Sequence, residues 1–166
     1  MMLMVAGLSL MGVSCSGGNN PTVDPNPPVD VPDKPDNPVT PPSYPTFDAP
    51  NWSVSEASSY EHTMAVAIVL PDSLRSNEDA TDELAVFAQD NKCRGVAERL
   101  NVSEGNYIWM AMVYGNTSSD VLQFHYYSNK SKHKYNSAES IPFEIDGVYG
   151  TIDAPKTIGM KIVTSK

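Results

Sequence analysis

The chain has 166 residues, with 11 Lys and Arg against 20 Asp and Glu, a formal net charge of −9. That balance lacks the basic footprint nucleic-acid binding needs, so no nucleic-acid partner is expected, and it gives no electrostatic reason to lie on an anionic membrane surface. Most of the 14 prolines fall between Pro21 and Pro50, which leaves one domain of ordinary size to fold by itself from Asn51 onward.

Residues 2–13 form an apolar run too short to span a bilayer but suited to the core of a secretory signal, and it ends in Gly12-Val13-Ser14-Cys15. This resembles a bacterial lipoprotein signal. The resemblance implies a signal peptide at 1–14, a lipid on Cys15, and attachment to the membrane through that anchor, in the cell envelope at the outer membrane. With Cys15 lipidated, Cys93 is left without an intramolecular partner, so the domain must rest on packing and Cys93 is expected to be a small buried hydrophobe.

Residues 15–50 read as a disordered, Pro-rich linker. Stretches such as Pro25-Asn26-Pro27-Pro28 and Pro41-Pro42-Ser43-Tyr44-Pro45 have too little apolar surface to bury and favour polyproline II. At roughly 3.1 Å per residue, about 25 such residues reach on the order of 75 Å.

The domain, 51–166, opens with a β run in which Met64, Val66, Ile68 and Leu70 share the face assigned to the core, stopped by Pro71. A polar loop follows to Thr81. Its carboxylates lack the ligand spacing of a calcium loop, and no metal site or cofactor is expected. Two short apolar runs then flank Asp90-Asn91, read as a hairpin with a two-residue turn. That register sets Ala88 opposite Cys93, Val86 opposite Gly95 and Leu84 opposite Ala97, all facing the core, with Phe87 across from Arg94 on the other face.

Residues 98–104 are polar, and Gly105-Asn106 marks a turn. Residues 107–114 are apolar throughout, with Tyr107, Trp109, Ala111 and Val113 on one face and Ile108, Met110, Met112 and Tyr114 on the other, so periodicity does not name the inner one. In 121–128 the alternation is clean and points Leu122, Phe124 and Tyr126 inward. Lys130, Lys132 and Lys134, at period two, read as an edge-strand comb that discourages pairing with another chain. A short strand at 141–145 carries Pro142 at an edge or end, and 157–164 closes the domain with Ile158, Met160 and Ile162 on one face. With no helical period, the expected fold is all-β: one immunoglobulin-like antiparallel sandwich of about seven or eight strands after the linker.

Several stretches occur in a recognisable order: Asp82-Glu83-Leu84-Ala85-Val86-Phe87, Lys92-Cys93-Arg94-Gly95-Val96-Ala97, Tyr107-Ile108-Trp109-Met110 and Leu122-Gln123-Phe124-His125-Tyr126-Tyr127. Together they resemble a recurrent β-sandwich module of surface and secreted proteins of the Bacteroidetes, and the resemblance implies display outside the inner membrane in an accessory or binding role. Asp72-Ser73-Leu74 is similar to the acceptor for O-glycosylation of exported proteins in that phylum, which implies Ser73 as a modification site.

Catalysis is not expected. His62, His125 and His133 stand in no metal-ligand spacing, and no nucleophile elbow or phosphate loop appears. The first functional reading is a tethered interaction or structural module that meets an envelope protein. The alternative is a glycan-binding module using Tyr107 and Trp109, which share a strand face, with Tyr127 and Tyr135 as further outward candidates. Whether Tyr107 and Trp109 are exposed together separates the two.

Overall fold

The computed structural model describes residues 42–166. The signal at 1–14, the lipidation site Cys15 and the proline run up to residue 41 lie outside the described residues. The described chain is nearly all β, in two sheets packed face to face. One sheet contains β1 (His62–Val69), β4 (Glu98–Ser103), β5 (Asn106–Gly115), β9 (Val148–Tyr149) and β10 (Lys156–Thr157), in the order β10-β1-β5-β4 with β9 also on β1. The other contains β2 (Glu83–Ala88), β3 (Cys93–Val96), β6 (Val121–Ser128), β7 (His133–Ser137), β8 (Ile141–Pro142) and β11 (Met160–Ile162), in the order β11-β7-β6-β2-β3 with β8 on β6. The all-β sandwich is the expected class. Its strand count is eleven because β8 to β11 are pieces of two or three residues, and β9 and β10 join β1 in parallel.

The core follows the alternation read from the sequence. Met64, Val66, Ile68 and Leu70 meet Leu84, Val86, Ala88, Leu122, Phe124 and Tyr126 between the sheets. For β5 the inner face is Trp109, Ala111 and Val113. Glycine is required where the chain passes between layers at Gly95: a Cβ there would lie 2.7 Å from the Met112 carbonyl oxygen.

Three stretches depart from expectation for identifiable reasons. The hairpin tip is not a two-residue turn. The Asn91 amide donates to the Ala88 carbonyl and the Ala88 amide donates to the Lys92 carbonyl, with Asn91 at φ 60°, which is a three-residue loop closed by a left-handed residue. Cys93 therefore faces Phe87 rather than Ala88, and Arg94 becomes the extra residue of a bulge before Val86 and Gly95 pair. Residues 98–104, given no strand from their polar composition, contain β4, and that composition suits its place at the sheet edge. The lysine comb is no strand: Lys130 and Lys132 lie in the turn between β6 and β7, with Lys132 at φ 60°, and only Lys134 is in β7.

Both lateral seams of the sandwich are crossed by continuous chain. After β3 the backbone passes through Ala97, whose amide donates to the Leu84 carbonyl, into β4 on the opposite sheet. At the other seam 157–164, expected as one strand, splits instead. The Ile158 amide bonds Val69, the Gly159 carbonyl accepts from Ala138, and the chain moves from β10 in one sheet to β11 in the other.

Residues 44–52 lie as an extended strap along the outer face of the six-stranded sheet, although composition assigned most of them to the linker. The Phe47 amide donates to the Lys132 carbonyl at 2.8 Å, and the Tyr127 hydroxyl donates to the Phe47 carbonyl at 3.3 Å. Trp52 meets Phe87 and His125 edge-on, and those two rings stack at 4.4 Å. Burial and nearby Lys134 hold the His125 imidazole below its ordinary pKa.

Candidate functional site

Each end of the sandwich carries buried charge. At the end with the β2–β3 tip, Arg94 is buried as the bulge residue. Its guanidinium donates to Asp90 Oδ2 at 2.9 Å, lies 3.8 Å from Asp120 and stacks over Tyr60 at 4.6 Å from the ring centroid. The pairing expected between Arg94 and Phe87 is absent because the bulge turns Arg94 away.

At the opposite end residues 71–82 form a loop that opens with a single helical turn, α1 (Asp72–Arg75). Its anchor is Asp82, 7% exposed. One carboxylate oxygen accepts from the Tyr126 hydroxyl at 2.5 Å and from the Asp79 amide at 2.7 Å, and the other from the Asn129 amide at 2.8 Å. One side chain thus ties the loop to β6 and to the β6–β7 turn. Burial and the adjacent Asp82 push the Tyr126 phenol far above its ordinary range, so it is a fixed donor. A second anchor is Glu78, whose Oε1 accepts from the Trp109 indole at 3.1 Å and whose Oε2, buried, has no hydrogen-bond donor, Arg99 Nε standing 3.9 Å away. Desolvation raises the Glu78 pKa above its ordinary 4.5.

This settles where the sequence-derived candidates lie. Trp109 is 1% exposed and belongs to the core, so Tyr107 and Trp109 form no exposed pair; the sugar platform expected there is corrected. Sequence periodicity could not name the buried face because β5 is apolar on both. Tyr107, half-buried, has the Arg99 guanidinium 3.5 Å over its ring centroid. Tyr127 points to the outer sheet face but is fully buried there beneath the strap, so it is not exposed to a ligand. Tyr135 pairs with Tyr126 across β6 and β7, so it shares the inward face and stands half-buried at the mouth between the sheets. Ser73 is exposed on the first turn of α1. Cys93 is half-buried, its thiol 3.5 Å from the Gly95 carbonyl, and burial pushes its pKa up, which makes it a poor nucleophile.

Two concavities offer room for a ligand or partner. One is a trough of about 500 Å³ on the outer face of the five-stranded sheet, lined by Val54, Ala65, Val96, Glu98, Met110 and Met112, with Met112 50% and Val96 40% exposed. The other, about 440 Å³, is a cleft at the mouth of the sandwich, between α1 and the β6–β7 turn. The trough gave no strong signal in the sequence beyond the even-numbered face of 107–114. Of the cleft, the sequence singled out Ser73 and Tyr135 but not their meeting, because its walls come from stretches about 55 residues apart.

Compared with protein-family models, curated proteins and solved structures, the chain matches none of them. Among the described residues no helix is long and apolar enough to cross a membrane, and no group of three or more His, Cys, Asp or Glu side chains is arranged to hold a metal ion.

Proposed function

We propose that the protein is a non-catalytic, membrane-anchored lipoprotein that presents its β-sandwich in the cell envelope, at the outer membrane, as a module that holds a protein partner. Anchoring at Cys15 and the proline spacer are supported by the sequence pattern. The observation that carries the binding role is the Met110 and Met112 trough. Methionine side chains adapt to irregular apolar partners, and an exposed apolar patch on a sheet face is a common interaction site. Glu98 at its rim favours a partner that offers aliphatic side chains beside a cation.

Protease treatment of intact cells, with Cys15→Ala as the anchoring control, tests display; a Cys15→Ala protein that still fractionates with membranes sinks the lipoprotein reading. A photo-crosslinking residue at position 112, compared with one at the exposed position 101, tests the trough. A discrete protein adduct is expected at 112 alone, and equal labelling at both positions rejects the site. Ser73 is carried as an acceptor for O-glycosylation, supported by its exposure, and a single unmodified mass of the exported protein excludes it.

A further inference from the structure

We propose that the cleft at the mouth of the sandwich is a binding site for an acidic saccharide. This does not rest on the trough, which opens on another face. The floor is aromatic: Tyr135 stands half-buried, its ring 5.8 Å from that of Tyr126 and tilted 43° to it, giving an apolar ring face at the base of a concave space of about 440 Å³. Sugars place their axial C–H groups against such faces.

The rim is hydroxyl, amide and ammonium: Ser73 and Asn77 from the loop after β1, Lys130 and Ser131 from the β6–β7 turn. Among the described residues no carboxylate lines the cleft, although Asp and Glu outnumber Lys and Arg 20 to 11 along the chain. An acid-free, lysine-rimmed pocket in an acidic protein selects an anion over a neutral sugar. Asp79, which feels the charge of Lys130, is occupied by the Thr81 amide at 2.9 Å and the Thr81 hydroxyl at 2.7 Å, and Asp82 beneath the floor by Tyr126 and two backbone amides.

The polar groups divide cleanly between structure and ligand. Tyr126 is committed to Asp82, and Ser131 Oγ accepts the His133 amide at 3.4 Å. Lys130 makes no side-chain hydrogen bond among the described residues, and the amide of Asn77 reaches only Ser76, at 3.4 Å. These two border the aromatic floor with donors that a saccharide's hydroxyls and carboxylate would engage. The site is also held open in advance. Asp82 fixes both of its walls, since it binds the loop through Asp79 and the turn through Asn129.

The test is calorimetric titration of the full-length protein with a uronic-acid disaccharide, a neutral disaccharide of the same linkage, and acetate. Binding of the uronic-acid disaccharide, weakened by salt and exceeding both controls, is expected. Lys130→Glu, at an exposed position outside the core, lowers affinity about fivefold. Tyr135→Leu, which keeps apolar bulk against Tyr126 but removes the ring face, lowers it about tenfold. Lys92→Glu, at the far hairpin tip, leaves it unchanged. Absence of binding, equal binding of the neutral disaccharide, equal binding of acetate, or an unchanged affinity in Lys130→Glu each overturns the proposal.

Discussion

The two ends of the sandwich bury charge of opposite sign and use it differently. At the hairpin-tip end Arg94 is the buried partner, while Asp90 remains exposed and Asp120 partly so. The cation is desolvated but its carboxylates still have water, so the cluster acts as a clasp whose loss leaves groups that solvent can satisfy. At the α1 end the buried partner is a carboxylate, and the three donors to Asp82 come from a loop, a strand and a turn. Removing it strands a buried phenol and two backbone amides. The difference fits the open cleft at the second end: its walls are joined at their base by the central acceptor Asp82 and by the Asn129 side-chain amide, which donates to the Thr81 hydroxyl at 2.8 Å.

The largest expected break is therefore Asp82→Ala, which leaves the Tyr126 hydroxyl and the Asp79 and Asn129 amides without an acceptor and costs about 3–4 kcal/mol in urea unfolding. A loss below about 1 kcal/mol would mean water replaces the carboxylate and the anchor role is wrong. Arg94→Met is expected to cost less, about 1–2 kcal/mol, because the stranded Asp90 and Asp120 can be solvated. If it costs as much as Asp82→Ala, the distinction between clasp and anchor fails.

Glu78→Gln sharpens the contrast in the other direction. The folded state raises the Glu78 pKa, so the native protein holds a proton there more tightly than the unfolded chain. Stability from this group is fully present below the ordinary value of 4.5 and is lost as pH rises through the raised value. Glu78→Gln should therefore remove a downward slope of stability with pH in that window and raise stability at neutral pH by up to about 1 kcal/mol. Urea titrations at several pH values read both effects, and a variant with the wild-type slope would assign the slope to other groups. The smallest number concerns the ends together. Since they share no partner, the Asp82→Ala and Arg94→Met losses should add to within about 0.5 kcal/mol, and a larger coupling energy would show that the core transmits strain between them.

Much of the fold was legible because alternation is a strong signal wherever one strand face is polar. Leu122, Phe124 and Tyr126 alternate with Gln123 and His125, and the sheet reproduces that division. The sequence misled where backbone geometry adds a residue without changing composition. Asn91 in the left-handed region and the bulge at Arg94 move Cys93 off the core face, and nothing in the letters Lys92-Cys93-Arg94-Gly95 announces it. It also misled where a third layer intervenes. Tyr127 alternates as an outward residue, and outward it is, but the strap covers it through Phe47. At the mouth, Asp82 and Tyr126 are 44 positions apart, and only the packed sheets bring them together.

The strap has a mechanical consequence. Any load delivered from the chain preceding residue 42 reaches Tyr44 and Phe47 before it reaches a sheet, and what resists it first is a single backbone hydrogen bond to Lys132 with ring packing behind it. Because Phe47 sits by the β6–β7 turn and Trp52 farther along the face, such a pull peels the contacts in sequence instead of shearing them at once. Freeing residues 44–52 lengthens the reach by about 30 Å, after which Tyr60, stacked on Arg94, takes the tension.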